Sequence, residues 1–194
     1  METLRRLVNR VCQVIIGIVS ICGLIVLCGF VDPPVREIEK RVEVQVSRTR
    51  PSLESLITTI PGLYGVPVEV VRVILDKESG GRMDAVRYEP GQVERARRVS
   101  KSSNPDQIRA YASSWCAMQI MGWWAPIHGL TWKDLLDDEV CIELGVKIFR
   151  ECLDRHKALS KVDRLFKAYE CYNGSQAYAH DAMDRLGKLL ISRM

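Results

Sequence analysis

Residues 68–81 read VEVVRVILDKESGG, and the interpretation of the whole chain starts from this stretch. Pro67 precedes it, and proline is favoured where a helix begins because the first helical N–H groups have no partner inside the helix. The charged residues Glu69, Arg72 and Asp76 recur at spacings of three and four, as on one face of a helix. Two glycines end the stretch, which is typical of a helix end. The sequence therefore predicts an amphipathic helix that ends at the glycine pair.

Glu78 does not lie on the charged face of this predicted helix. It follows Val71 by seven positions and Ile74 by four, so it shares their apolar face. It also lies at the carboxyl end of the helix, where the helix dipole disfavours an anion. Burial and the dipole both raise the pKa of a carboxyl group, which makes Glu78 a candidate general acid for protonating a glycosidic oxygen. The alternative is a glutamate that frays into solvent in the last turn.

Hydrophobic periodicity and capping residues predict further helices, so residues 51–194 are expected to form one all-α domain. Residues 79–105 are predicted to be rich in loops, and residues 114–123 to be apolar and buried. The other predicted helices cover residues 53–60, 92–99, 105–111, 139–156, 160–172 and 175–190.

The amino-terminal part of the chain differs sharply from this domain. Residues 11–31 carry no charge, and as a helix they would rise about 31 Å, close to the thickness of the hydrocarbon core of a bilayer. They are predicted to be a transmembrane anchor; a buried core helix is the alternative. Residues 1–10 contain three arginines, so this basic tail is expected in the cytoplasm and the domain in the periplasm or another extracytoplasmic space. Residues 32–50, with two adjacent prolines and mixed charge, are predicted to be a linker.

Composition and charge exclude several classes of function. The net charge of +4, from 28 basic and 24 acidic side chains, is too small to predict nucleic acid as a partner. The chain has no CxxC pair and its three histidines stand apart, so neither a metal site nor a cofactor is expected. No feature indicates a protein partner.

Four cysteines lie in the predicted domain: Cys116, Cys141, Cys152 and Cys171. Cys141 and Cys152 are predicted to lie on one helix about 16 Å apart along its axis, which is too far for a disulfide. Two arrangements with two disulfides remain, namely 116–141 with 152–171 or 116–152 with 141–171. Four buried thiols are the other alternative.

Three short segments together resemble those of a known family. Residues 74–81 (ILDKESGG) resemble the helix-ending Glu-Ser-Gly motif of lytic transglycosylases and goose-type lysozymes, and residues 85–90 (AVRYEP) follow at the spacing seen in phage-borne members. Residues 113–122 (SSWCAMQIMG) are similar to the second motif of that family, and residues 168–174 (AYECYNG) to its third. Each motif alone is weak, but three in the family's order form a fairly specific signal.

The resemblance implies a lysozyme-like domain that cleaves the glycan strands of peptidoglycan without a cofactor. Glu78 would be its single catalytic acid and then its base, and Tyr172 would face it across the cleft and hold its orientation. Asn173 is also suited to fixing an Asn-Gly turn. The residues that the resemblance implies in substrate binding are Ser79, Met118, Gln119, Tyr172 and Asn173.

The resemblance leaves the product open. With one carboxylate the product would be a 1,6-anhydromuramyl end, whereas Asp84 or Glu89 could act as a second carboxylate and position water for hydrolysis. Cys116 stands where the family more often has glycine, so a non-catalytic peptidoglycan-binding or scaffold module of an envelope-spanning machine is a further alternative. The phage-like segment makes a phage lysis or entry enzyme one expectation, and a bacterial secretion or remodelling protein another.

Four tryptophans cluster within 18 positions of the chain: Trp115, Trp123, Trp124 and Trp132. Because sugar rings stack on aromatic rings, one or two of them could form the floor of a glycan cleft. Core packing is the expectation for at least two.

Overall fold

The computed structural model describes residues 51–194, so the predicted tail, anchor and linker of residues 1–50 lie outside the described residues. Within residues 51–194, no helix is both long enough and apolar enough to cross a membrane. These residues form one compact unit.

The described part of the chain is mostly helical, as the sequence predicted. All seven predicted helices are present, with ends that differ by at most three residues. Two short 3₁₀ turns, Pro90–Gln92 and Trp132–Leu136, lie between the helices. The α-helices are α1 (Leu53–Leu63), α2 (Val68–Ser79), α3 (Val93–Ser100), α4 (Pro105–Tyr111), α5 (Trp124–Ile127), α6 (Asp138–Arg155), α7 (Lys161–Asn173) and α8 (Gln176–Ile191).

A small antiparallel sheet was not predicted. It consists of β1 (Val86–Tyr88), β2 (Ser113–Trp115) and β3 (Ile120–Met121), in that order across the sheet. Val86 pairs with Trp115, and Ser114 pairs with Met121. Strands of two or three residues are too short to show a period-2 alternation, so the sequence pattern could not indicate them.

The carboxyl end of α2 forms as its sequence predicts. Gly80 adopts a left-handed conformation with φ of 65°, which favours glycine. The N–H groups of Gly80 and Gly81 donate to the carbonyls of Asp76 and Leu75, both at 3.2 Å. These bonds satisfy carbonyls at the helix end and turn the chain sharply away, which leaves Glu78 and Ser79 in the last helical turn.

Helix α6 runs through the hydrophobic core, where α1, α7 and the second motif segment pack against it. Phe149 on α6 and Tyr169 on α7 are fully buried, with ring centroids 5.2 Å apart. Gly145 permits a close approach: a Cβ atom there would lie 2.5 Å from the sulfur of Met118. The Met118 side chain therefore fills the core beside α6.

All four cysteines of the described region are paired. Cys116 pairs with Cys141 and Cys152 with Cys171, with Cα–Cα distances of 6.5 and 5.7 Å. The first of the two predicted arrangements is thus confirmed. One disulfide joins the turn after β2 to α6, and the other joins α6 to α7.

Removal of either disulfide is expected to lower the free energy of unfolding by about 3 kcal/mol, because the two bridges close loops of 25 and 19 residues. The variants are Cys116→Ser with Cys141→Ser, and Cys152→Ser with Cys171→Ser, compared by urea unfolding of the full chain. Dithiothreitol should destabilise the wild type but not a variant that lacks all four cysteines. Equal sensitivity of the two proteins would contradict the prediction.

Candidate active site

A cleft of about 230 Å³ lies beside the carboxyl end of α2. The sheet contributes one wall through β1 and β2, and the end of α7 contributes another. The residues in its lining that bear on chemistry are Glu78, Arg87, Glu89, Gln119, Trp124, Tyr172 and Asn173.

Glu78 is partly buried at the wall of this cleft, so it does not fray into solvent. Burial raises the pKa of its carboxyl above the ordinary value, as predicted from the sequence. The side chains of Tyr178 and Asn173, and the positive charges of Arg87 and Lys77, oppose this shift without cancelling it. The result is a carboxyl group that holds its proton closer to neutral pH than an exposed glutamate does.

Two tyrosines flank Glu78. The Tyr172 hydroxyl donates a hydrogen bond to the backbone carbonyl of Met118 at 2.9 Å. Tyr172 lines the same cleft as Glu78, and its expected role in holding the orientation of Glu78 stays a prediction. The Tyr178 hydroxyl is buried and makes no hydrogen bond of ordinary geometry within residues 51–194, although it lies near enough to Glu78 to lower the pKa of that carboxyl. Burial and the charge of Glu78 raise the pKa of both tyrosines far above 10.0, so both hydroxyls stay neutral.

Sequence reasoning missed Tyr178. It lies in the first turn of α8, where its backbone N–H donates to the Ser175 side chain. Its position shortly after the Tyr-Asn-Gly segment is the only signal in the sequence, and this does not separate it from a core tyrosine.

Gln119 lines the cleft as predicted, but its amide is used within the protein. Its Nε2 donates to the carbonyls of Ala85 at 3.1 Å and Cys116 at 2.9 Å, and its Oε1 accepts from the Ser114 hydroxyl at 2.8 Å. Cys116 and Gln119 have positive φ angles of 57° and 49°, which side chains rarely adopt. Gln119 therefore joins the residue before β1, strand β2 and the turn between β2 and β3 into one wall of the cleft.

Ser79 and Met118 differ from their expected places. The Ser79 hydroxyl donates to the Ala117 carbonyl at 2.8 Å, which ties the end of α2 to the turn after β2. The Met118 side chain is fully buried in the core, so only its backbone carbonyl serves the site, as the acceptor for Tyr172. Neither side chain lines the cleft. Both side chains are engaged within the protein, and their part in substrate binding stays a prediction.

The two candidate second carboxylates are separated by the fold. Glu89 lines the same cleft as Glu78 and forms an ion pair with Arg87. Asp84 is exposed and does not line the cleft. If a second carboxylate takes part in the chemistry, the geometry favours Glu89.

Asn173 lines the cleft beside Glu78 as the last residue of α7, and Gly174, with φ of 85°, makes the turn that follows. Of the four tryptophans, Trp124 lines the cleft and Trp123 is buried. Residues 51–194 contain no group of three or more histidine, cysteine, aspartate or glutamate side chains arranged to hold a metal ion.

Comparison with known proteins gives no match: no family model, no curated protein and no solved structure is significantly similar to this chain.

Glu78→Gln is expected to stabilise the folded protein at about pH 7. Because the pKa of Glu78 is raised in the folded state above 4.5, the folded protein binds this proton more tightly than the unfolded chain does. The contribution of Glu78 to wild-type stability should therefore fall as the pH rises through its raised pKa, so the advantage in stability of Glu78→Gln over the wild type should grow with pH. Thermal unfolding at several pH values measures the difference.

The matched control is Glu94→Gln, which changes an exposed glutamate on α3. Its stability should depend on pH as that of the wild type does. The same dependence on pH in wild type and Glu78→Gln would contradict a raised pKa of Glu78 in the folded protein.

Proposed function

We propose that this chain is a membrane-anchored peptidoglycan lytic transglycosylase, with a lysozyme-like catalytic domain in residues 51–194 and Glu78 as its general acid and base. The observation that carries the proposal is the partly buried Glu78 carboxyl, whose pKa is raised at the wall of a cleft. A carboxylic acid that remains protonated close to neutral pH can protonate a glycosidic oxygen.

The proposed reaction begins with Glu78 protonated. Its proton passes to the oxygen of the β-1,4 bond between MurNAc and GlcNAc, and the bond from that oxygen to the muramyl C1 breaks. The carbonyl oxygen of the muramyl acetamido group forms a transient bond to C1. The C6 hydroxyl then attacks C1, the transient bond breaks, and the Glu78 carboxylate takes the hydroxyl proton. The product is a 1,6-anhydromuramyl end, and no water is consumed.

The ion pair between Arg87 and Glu89 supports this route over hydrolysis. Glu89 is the carboxylate that shares the cleft with Glu78, and its charge is engaged by the Arg87 guanidinium. Hydrolysis by two carboxylates would need Glu89 to position and deprotonate a water molecule. A hydrolytic muramidase is the second candidate function, because Glu89 does line the cleft.

Cys116 gives no support to a non-catalytic binding or scaffold module. Its side chain is buried and bonded to Cys141, so it does not narrow the cleft. The disulfide holds the turn that carries Gln119, despite the positive φ at Cys116.

The two disulfides are consistent with a domain outside the cytoplasm, where an oxidising environment lets such bonds persist. We propose that residues 11–31 anchor the chain in the bilayer, with the amino terminus in the cytoplasm and the catalytic domain on the side of the cell wall. Attack on the wall by a phage enzyme and remodelling by a bacterial one would both fit this arrangement.

Glu78→Gln is expected to lower the release of fragments from purified peptidoglycan by about 10²- to 10⁴-fold, because the amide cannot transfer the proton. Mass spectrometry of the digest by the full-length wild type should show fragments lighter by one water than hydrolysis products. Wild-type activity should also fall as the pH rises through the raised pKa of Glu78.

Glu94→Gln serves as the control and should cleave like the wild type. Retained cleavage by Glu78→Gln would overturn the role of Glu78. The absence of fragments from folded wild type would overturn enzymatic function and favour a binding module.

Glu89→Gln separates the two candidate reactions. If the substrate's acetamido group replaces the second carboxylate, the variant should keep its rate of cleavage within about tenfold and still yield anhydro ends. The measurement is the same digest, scored for anhydro and reducing ends. Reducing ends from the wild type, with a loss of about 10²-fold or more in Glu89→Gln, would establish the hydrolase.

A further inference from the structure

The two faces of the small sheet carry different side chains. Side chains alternate between faces along a strand, so the pair Arg87–Ser114 lies on one face and the pair Val86–Trp115 on the other. Arg87 and Ser114 line the cleft that contains Glu78. Val86 and Trp115 line a second groove, of about 490 Å³, which lies behind the sheet as seen from Glu78.

Two stacked tryptophans form the floor of this groove, which we call the rear groove. The ring centroids of Trp115 and Trp132 are 5.3 Å apart, and the ring planes are inclined by 27°. The Trp115 ring is held by a hydrogen bond from Nε1 to the carbonyl of Ala110 at 2.9 Å. The backbone of Trp132 is held by the capping box between Thr131 and Asp134. This aromatic surface is therefore fixed in place before any ligand arrives.

The rim of the rear groove supplies hydrogen-bond donors and charges of both signs, because Asp106 lines it together with Arg109 and Lys133. Asn104 and Gln107 have side-chain oxygens engaged in local hydrogen bonds, so each directs an amide nitrogen to its surroundings as a donor.

The Arg109 guanidinium lies over the ring of Tyr88 at 4.3 Å, and the Lys133 ammonium lies over the ring of Trp132 at 6.0 Å, so a sugar that stacks on that face of Trp132 displaces the Lys133 side chain. A ligand with a flat apolar face and with hydroxyl or carbonyl edges would match this set. Acidic groups on the ligand would match Arg109 and Lys133 but would have to lie away from Asp106.

We propose that the rear groove is a second binding site for the glycan strand of peptidoglycan. This inference rests on the proposed function. A pyranose ring offers C–H faces that stack on an indole ring, and hydroxyl and acetamido groups that pair with the amides of Asn104 and Gln107. Carboxylates of the lactyl and peptide groups on muramyl residues match Arg109 and Lys133 in charge.

The location behind the sheet gives this second site a distinct effect. When a glycan strand is held in the rear groove, other segments of the same glycan strand stay near the cleft, and so do neighbouring glycan strands. Their effective concentration at the cleft is therefore raised. Retention on an insoluble polymer would then persist after each bond is cleaved, because the rear groove does not contain Glu78.

The test measures binding of the full-length chain, in mild detergent, to insoluble peptidoglycan sacculi. All proteins carry Glu78→Gln, so that cleavage does not alter the polymer. Adding Trp132→Ala should weaken binding about tenfold, as expected for loss of one strong aromatic contact, and Trp132→Phe should restore most of it. The matched control is Leu63→Ala, which truncates an exposed apolar side chain that does not line the groove.

A second arm uses glycan strands from which an amidase has removed the peptides. The dependence on Trp132 should persist on these strands, because stacking requires only the sugar. Its loss there would identify a peptide site and overturn the inference. If Trp132→Ala weakens binding to sacculi no more than Leu63→Ala does, the inference is also overturned. The same holds if Trp132→Ala changes the oligomeric state and leaves binding unchanged.

These outcomes are separable from failure of the proposed function. If the wild type yields anhydro products and Trp132→Ala does not weaken binding, the proposed enzymatic function is supported and the rear site is overturned. Binding to glycan that depends on Trp132, without products from the wild type, would support the rear site and remove the enzyme.

Discussion

The partial removal of the Glu78 carboxyl from water is the constraint on which the rest of the site depends. It follows from the apolar face of α2, which carries Glu78 into contact with the core, and from the glycine cap that ends the helix immediately afterwards. The surrounding groups moderate the effect, since Arg87 and Lys77 lower the pKa that burial raises. The site therefore holds a carboxyl whose pKa lies above that of an exposed glutamate.

The turn after β2 fixes the position of the Glu78 carboxyl relative to the end of α7, which forms another wall of the cleft. Ser79 donates to the carbonyl of Ala117 and Tyr172 to that of Met118, so α2 and α7 are tied to adjacent peptide groups. The Cys116–Cys141 disulfide fixes the same turn to α6. The polar groups of Ser79, Gln119 and Tyr172, which the family resemblance assigned to substrate binding, thus make hydrogen bonds that build the wall of the cleft.

The sequence predicted the elements that are long enough to show a repeating hydrophobic pattern and missed those that are too short to repeat. Helices with clear caps, such as α4 after Asn104 and α7 after Ser160, were predicted almost to the residue, because periodicity and capping act locally. The strands were missed because they are too short to repeat. The position of Glu78 could be inferred from its helix face, whereas the contact of Tyr178 with it depends on how α8 packs on α2, which no local pattern encodes. The choice between the two disulfide arrangements likewise required the packing of α6 against α7.

The small sheet links the two surfaces that the proposals concern. Side chains alternate between its two faces, so Arg87 and Ser114 line the cleft whereas Val86 and Trp115 line the rear groove. The thickness of one sheet therefore separates the polar cleft that contains Glu78 from an aromatic surface. Any shift of register by one residue would exchange these faces and place an indole beside Glu78. The hydrogen bonds of Gln119 to Ala85 and Ser114 oppose such a shift, because they fix β1 and β2 relative to the turn. Gln119 thereby maintains the cleft and the rear groove together, and a polymer that engages both would be positioned by the same few hydrogen bonds.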